Sequence, residues 1–210
     1  MEISSPYFLI KEVLKSHKKV LDIGSGPLMH NLTEFYFMGH FEKLVAIDRK
    51  EKSLTFPNSL SKLYEFDLTK AIKISKTNFE YKKLNITKDK IQLSESFDVI
   101  ILCQFLHFLD KEQRTKIISW CIANLNDQGI LFIRANHTAN EKIKNYAAKT
   151  ECIKNEIKYC DENGDGYYLF EPEDLSINLS ELINLNHLNE RTEEYFTIVY
   201  KKNDNKFFVV

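Results

Sequence analysis

Apolar residues along this chain fall into short runs separated by polar stretches of helical length. "KKVLDI" (18–23), "KLVAID" (43–48), "FEYKKLNI" (79–86), "FDVIILC" (97–103) and "GILFIRA" (129–135) read as five strands. The apolar runs among them show no two-residue alternation, the pattern of strands buried on both faces of a parallel sheet. Between and before them lie helical patterns. "SSPYFLIKEVLKSH" opens with Ser5 as N-cap and Pro6 at the first helical position. "PLMHNLTEFYFM" stops at Gly39, and "KEQRTKIISWCIANL" spaces Ile117, Ile118, Cys121, Ile122 and Leu125 on one helical face. Residues 57–76 show only weak helical periodicity, and 138–158 read as a polar helix. "EYFTIVYKKNDNKFFVV" reads as a terminal hairpin around an Asn/Asp turn. Strand alternating with helix predicts an α/β fold with a mostly parallel sheet covered on both faces.

Length and composition fit that picture. The 210 residues suit one domain, 1–210, with 1–17 as an N-terminal helix. Hydrophobic residues at 43% and charged residues at 28% describe a globular chain, not a disordered one. The net charge of −1 provides no global attraction to nucleic acid or an anionic membrane. Seven lysines against two acids in residues 70–90 form a local basic stretch, read as a solvated face. The start "MEISSPYFLI" lacks a signal-peptide pattern, and no apolar run approaches the ~20 residues of a membrane helix. Cys103, Cys121, Cys152 and Cys160 form no CxxC pair and read as reduced, buried thiols of a cytoplasmic protein.

The chemistry concentrates in "VLDIGSGPLM" (20–29), where a buried run ends in an acid followed by small residues. A phosphate-binding P-loop needs Gly-Lys-Ser/Thr, and no Lys follows Gly26. A dinucleotide fingerprint needs a third glycine where Met29 stands. Asp22, two residues before Gly24, repels a diphosphate and attracts a cation. The loop suits a ligand with a positive centre and no phosphate.

Five segments then resemble, in order, the class I S-adenosylmethionine-dependent methyltransferases. "VLDIGSGP" resembles the acid-x-Gly-x-Gly loop after strand one, with Leu28 in place of its third glycine, and "LVAIDRK" resembles strand two with its terminal acid. "LNI" (84–86), "FDVIILCQFLHFLD" and "LNDQGILFIRAN" resemble the ends of strands three, four and five. The resemblance implies a Rossmann-like, doubly wound, seven-stranded sheet of order 3-2-1-4-5-7-6, strand seven antiparallel. It implies that Asp22, Gly24, Ser25, Gly26, Asp48, Arg49, Asn85, Ile86 and Cys103 hold S-adenosylmethionine. Asp48 would take the ribose hydroxyls and Asn85 the adenine.

On the acceptor side stand Gln104, His107, Asn136 and His137. His107 and His137 are the candidate bases, although each also reads as a packing or loop-capping residue. Residues 138–180 form the expected acceptor-pocket insertion, with Tyr167, Tyr168 and Phe170 as a wall or as core. "DENGDGYYLFEP" (161–172) starts like a calcium loop with Asp161, Asn163 and Asp165, but Pro172 stands where a bidentate Glu is needed, so no metal is expected. The reading is a methyltransferase for a small-molecule acceptor, with neither nucleic-acid nor membrane partner; the sequence leaves the oligomeric state open. Two alternatives stand beside it: a non-catalytic S-adenosylmethionine-binding scaffold, and a protein or RNA methyltransferase.

Overall fold

A computed structural model describes residues 13–26, 31–32, 41–50, 77–89, 91, 93–153, 156–162, 166–175, 182–185 and 189–203. Of the expected N-terminal helix only the end is described, as a 3-10 turn at Val13–Ser16; its residues 1–12, most of the helix from Pro27, residues 57–76, Asn163, Asp165 and the second arm of the terminal hairpin lie outside them. The chain divides into two compact units, Met1–Ile101 and Leu102–Val210.

The first unit is a parallel sheet. Strands β1 (Lys19–Ile23), β2 (Lys43–Asp48), β3 (Asn78–Lys83) and β4 (Phe97–Cys103, whose last two residues belong to the second unit) run in the order β3-β2-β1-β4. Val20 pairs with Leu44 on one side and with Val99 on the other. Val20, Leu21, Ile23, Leu44, Ile47, Val99 and Ile100 have no solvent exposure. That accounts for the unalternated runs, because a central parallel strand meets apolar neighbours on both faces. The Asp98 carboxylate accepts from the backbone N–H groups of Lys18 and Lys19 at 2.8 and 2.9 Å, which ties the start of β1 to β4. β3 is half-exposed and stops at Lys83, short of the expected Ile86. Beyond it the chain turns through Asn85, whose carbonyl accepts from the N–H groups of Lys88 and Asp89.

The second unit is antiparallel. β5 (Leu125–Asn136) pairs with β11 (Tyr195–Lys202) from Ile130↔Lys201 to Asn136↔Tyr195. β9 (Leu182–Asn184) and β10 (Glu190–Arg191) both pair antiparallel with β11. The first arm of the expected hairpin, its strand six, is β11, and it takes the antiparallel place beside β5 that the expected order gives to strand seven; β9 and β10 are not among the expected strands.

Helix α1 (Lys111–Ala123) carries a capping box of Asp110 and Gln113 and buries Ile117, Ile118, Cys121 and Ile122, the predicted face. At its far end the Lys202 ammonium donates to Ile122 O in the last turn and to Leu125 O at the start of β5, at 3.0 and 2.7 Å, placing a cation at the helix C-terminus. Gly129 in β5 admits no side chain, since an added Cβ would sit 2.8 Å from Asn126 O and from Leu125 Cγ.

The polar helix expected over 138–158 is corrected. Only α2 (Glu141–Tyr146) is helical, capped by Asn140. A three-stranded antiparallel sheet follows: β6 (Lys149–Ile153), β7 (Glu156–Cys160) and β8 (Gly166–Tyr168). β6 and β7 alternate weakly because both faces are partly exposed. With a polar exposed face, their lysines and glutamates read as helix formers, and strand pairing overrides that propensity. Of the cysteines, Cys121 and Cys160 are buried as expected, Cys103 is intermediate, and Cys152 is exposed, contrary to a buried reading.

Candidate active site

In the first unit the residues of the opening motif meet at the carboxyl edge of β1 and β2. Gly24 and Gly26 adopt φ of 72° and 68°, left-handed backbone open to glycine and strained for other residues. For Gly26 conformation is the whole reason, since a Cβ there would meet nothing within 4 Å. The N–H groups of Gly24 and Ser25 both donate to Ile47 O, so the loop curls over the end of β2. Asp48 holds it there: one carboxylate oxygen accepts from Gly26 N at 2.9 Å, the other from Lys50 N at 2.8 Å. Each oxygen keeps a further lone pair, so the acid can still accept two hydroxyls. Ser25 is buried, and Arg49 is exposed beside the site.

Asp22 has no solvent exposure. Among the described residues its hydrogen-bonding side chain is the Asn31 amide, which donates to both carboxylate oxygens at 3.2 and 3.1 Å. Burial pushes its carboxyl up to about 7, against the opposing pull of the Asn31 amide, and the Asp48 charge adds to the rise. A buried acid beside a neutral amide suits a partner with positive charge. Sequence reasoning missed Asn31, because a residue nine positions downstream on a following helix carries no spacing rule.

Asn85 differs from its expected role. Its side-chain carbonyl accepts from Thr87 N and Thr87 Oγ1 at 3.2 and 2.8 Å, which uses both lone pairs in a turn. Only its amide N–H groups are left to face a ligand. Ile86 beside it is half-buried.

The second unit gathers the acceptor-side candidates. Gln104 follows β4 with φ of 53° and donates its N–H to Arg134 O at 2.7 Å. His107 is buried, and its Nδ1 lies 3.2 Å from the Asn136 amide nitrogen. Burial pushes its imidazole down to about 3. His137 is buried too. Its Nε2 donates to Thr192 O at 2.6 Å and its Nδ1 accepts from Ala139 N at 3.1 Å, so both ring nitrogens fasten the loop after β5. In this arrangement neither histidine presents a free basic nitrogen.

The aromatic candidates separate along the strand. Tyr167 packs on His107 and Phe108, with ring centroids 5.3 and 5.2 Å apart. Tyr168 and Phe170 turn the other way, to the Arg114 guanidinium, which lies 6.0 and 4.2 Å from their rings. Arg114 is buried, pairs with Glu156 and donates to Leu109 O at 2.7 Å. Nothing in local spacing marks this pair, which joins α1 to β7. A cavity of about 630 Å³ opens nearby, with Leu169, Phe170 and Tyr159 on its apolar side and Lys111, Lys144 and Glu156 among its charged groups. No cluster of three or more metal-ligating side chains occurs among the described residues, and no helix there is long and apolar enough to cross a membrane.

Comparison with known proteins agrees with this geometry. The chain resembles the N-methyltransferase NodS of Bradyrhizobium japonicum, solved with S-adenosylhomocysteine (16% identity, TM-score 0.57, 95% of this chain and 86% of that one). It resembles a 1,6-didemethyltoxoflavin N1-methyltransferase of Burkholderia thailandensis, solved with its substrate and S-adenosylhomocysteine (15% identity, TM-score 0.59, 95% and 76%). It also resembles an S-adenosylmethionine-dependent methyltransferase of Clostridium acetobutylicum (14% identity, TM-score 0.60, 96% and 94%). At these identities the likeness is one of fold, and it is the Rossmann-like class the sequence led us to expect. A search of curated proteins finds no match. The sequence profile described as "Methyltransferase domain" matches residues 14–200, most of the chain, and by that match the protein belongs to the methyltransferase-domain family.

Proposed function

We propose that the protein is an S-adenosylmethionine-dependent methyltransferase acting on a small-molecule acceptor in the cytoplasm. The observation that carries the reading is the first unit's edge, where buried Asp22, the Gly24–Gly26 turn and Asp48 converge. Asp48 takes the ribose hydroxyls on its remaining lone pairs. Asp22 faces the positively charged methionine half. Asn85 offers its amide N–H, and Ile86 its apolar side, to the adenine, with Arg49 beside them; Cys103 stays a cofactor-binding candidate. The bound donor supplies an activated methyl group, so positioning and exclusion of water provide most of the rate. The two neighbours solved with S-adenosylhomocysteine support the cofactor. The one solved with 1,6-didemethyltoxoflavin supports a small acceptor.

Residues 138–180 supply every lining residue of the 630 Å³ cavity except Lys111, in keeping with an acceptor-side insertion in a single working domain. One observation favours a second reading, a binder without turnover: the ring nitrogens of His137 are both committed and those of His107 are buried in a weakly basic ring.

Thermal shift tests the first reading. S-adenosylmethionine or S-adenosylhomocysteine at a hundred times its Kd adds about 2.7 kcal/mol, a rise of about 5 to 10 °C for a chain of this size. A rise with NADH and with neither of these would reverse it. Release of S-adenosylhomocysteine from S-adenosylmethionine with candidate acceptors separates enzyme from binder.

A further inference from the structure

The polar groups that wall the 630 Å³ cavity of the second unit divide by charge into spent and open ones. The acids are largely spent on the protein. One carboxylate oxygen of Glu156 accepts from the Arg114 guanidinium, and the other accepts from Lys111 N at 2.5 Å. Asp174 accepts from Glu171 N at 2.9 Å with one oxygen and keeps the second, at an exposed position. The Thr138 hydroxyl donates to Glu171.

The cations are open. The Lys111 ammonium makes no hydrogen bond or ion pair among the described residues, while its backbone N–H on Glu156 fixes the root of the side chain at the cavity wall. Lys144 pairs with Glu141, three residues earlier on α2, at 2.8 Å, and the Glu141 side chain is 68% exposed. Such a surface pair contributes little, so exchanging Glu141 for the carboxylate of a ligand costs little. The Tyr159 phenol lies in electrostatic reach of Lys144 and makes no hydrogen bond among the described residues. The rest of the wall is apolar: Leu169, Ile157, which is 55% exposed, and Phe170, which is buried against Phe196 and the Arg114 guanidinium.

We propose that this cavity binds a small molecule with an apolar body that ends in a carboxylate. Two ammonium groups and a phenol are available to its head, against the one open oxygen of Asp174, so the site favours an anion over an amine. The single free ammonium, Lys111, matches a single negative charge, and Lys144 already holds a carboxylate. The Arg114 guanidinium, whose fork would suit a phosphate, is spent on Glu156 and Leu109 O. The volume is that of an ordinary small-molecule site, and Ile157, Leu169 and Phe170 provide the apolar surface such sites need. Every lining residue belongs to the second unit. The site goes beyond the methyltransferase reading: it holds whether or not the bound molecule accepts a methyl group, and its test uses no methyl donor.

The test uses the full chain and three probes that share one body: cinnamate, cinnamyl alcohol and cinnamylamine. Calorimetry should show cinnamate binding about tenfold tighter than the alcohol, and the amine no tighter than the alcohol. Lys111→Met should remove most of the advantage of the acid and leave the alcohol within about twofold. Lys144→Met should cost cinnamate about threefold. Lys111 is exposed and Lys144 half-buried, so both variants should melt with the parent. Leu169→Ala should weaken acid and alcohol alike by about threefold, since it removes apolar wall and no charge. Cinnamate no tighter than the alcohol, an amine tighter than cinnamate, or a cinnamate affinity that neither lysine variant changes would overturn the proposal. Those results leave the methyltransferase reading where it stands, because S-adenosylhomocysteine binding is measured apart from them.

Discussion

The first unit positions Asp48 and its glycine turn with backbone, and the second positions the polar groups around His107 with side chains. At the edge of β1 and β2, Asp48 is held by two main-chain N–H groups, and the Gly24–Gly26 turn is held by Ile47 O. Around His107 the holding groups are the side-chain amides of Asn136 and Asn140, the second anchored on Glu194 O from a distant stretch. Backbone positioning is local: a buried strand, an acid and two glycines suffice to write it in sequence. Side-chain positioning joins residues far apart in the chain, and it can be changed one residue at a time without altering the sheet.

The largest effect should come from Arg114→Met. Removing one partner of a buried pair leaves Glu156 without its countercharge, at a cost of about 3–5 kcal/mol. Denaturation should show the loss. Hydrogen exchange should place it in β6–β8, and an equal loss of protection in β1 and β2 would erase the contrast between the units.

Asp22→Asn comes next, and here stability and binding should part. The folded carboxyl titrates near 7 against an ordinary value of 3.8, so the folded state binds the extra proton between these values. The stability this confers is full below about pH 4 and lost as pH rises through 7, at most about 4 kcal/mol. Asn carries no charge to bury. The variant's stability should be flat across that window and exceed the parent's at pH 8. Its affinity for the sulfonium donor should fall more than for S-adenosylhomocysteine. A melting curve parallel to the parent's from pH 4 to 8 would remove the buried-charge account.

Asp48→Ala should weaken S-adenosylmethionine and S-adenosylhomocysteine alike by about tenfold, since the ribose is common to both. Unequal losses by calorimetry would move Asp48 away from the ribose. The smallest effect should be Lys202→Met, about 1 kcal/mol for the lost contacts at the end of α1, read from denaturant midpoints.

The same contrast governs what was legible in the sequence. β1, β2 and β4 read correctly because apolar runs buried on both faces have few other interpretations. Asp22, Gly24, Gly26 and Asp48 were legible as a candidate set because each sits within a few residues of a strand end, and the fold brings Gly26 N onto Asp48. The turn bonds of Asn85 were not legible, since an Asn ending a strand serves a turn as readily as a ligand. β6 and β7 were illegible because their exposed faces carry lysines and glutamates that favour helices. Asn31, Arg114 and Asn140 act through partners, among them Asp22, Glu156 and Glu194 O, that only the fold brings near.

The pairing of β11 with β5 also bears on how the chain is made. β5 waits for a partner about sixty residues downstream, and at ribosomal rates of about 5–20 residues per second that wait is several seconds. Throughout it, one edge of a twelve-residue strand with Ile130, Leu131, Phe132 and Ile133 lacks its neighbour. Such an edge is a template for pairing with other chains. Synthesis of this protein thus has its hazard late, between the emergence of Asn136 and that of Lys202, when a holding chaperone would matter most and when a pause would do most harm.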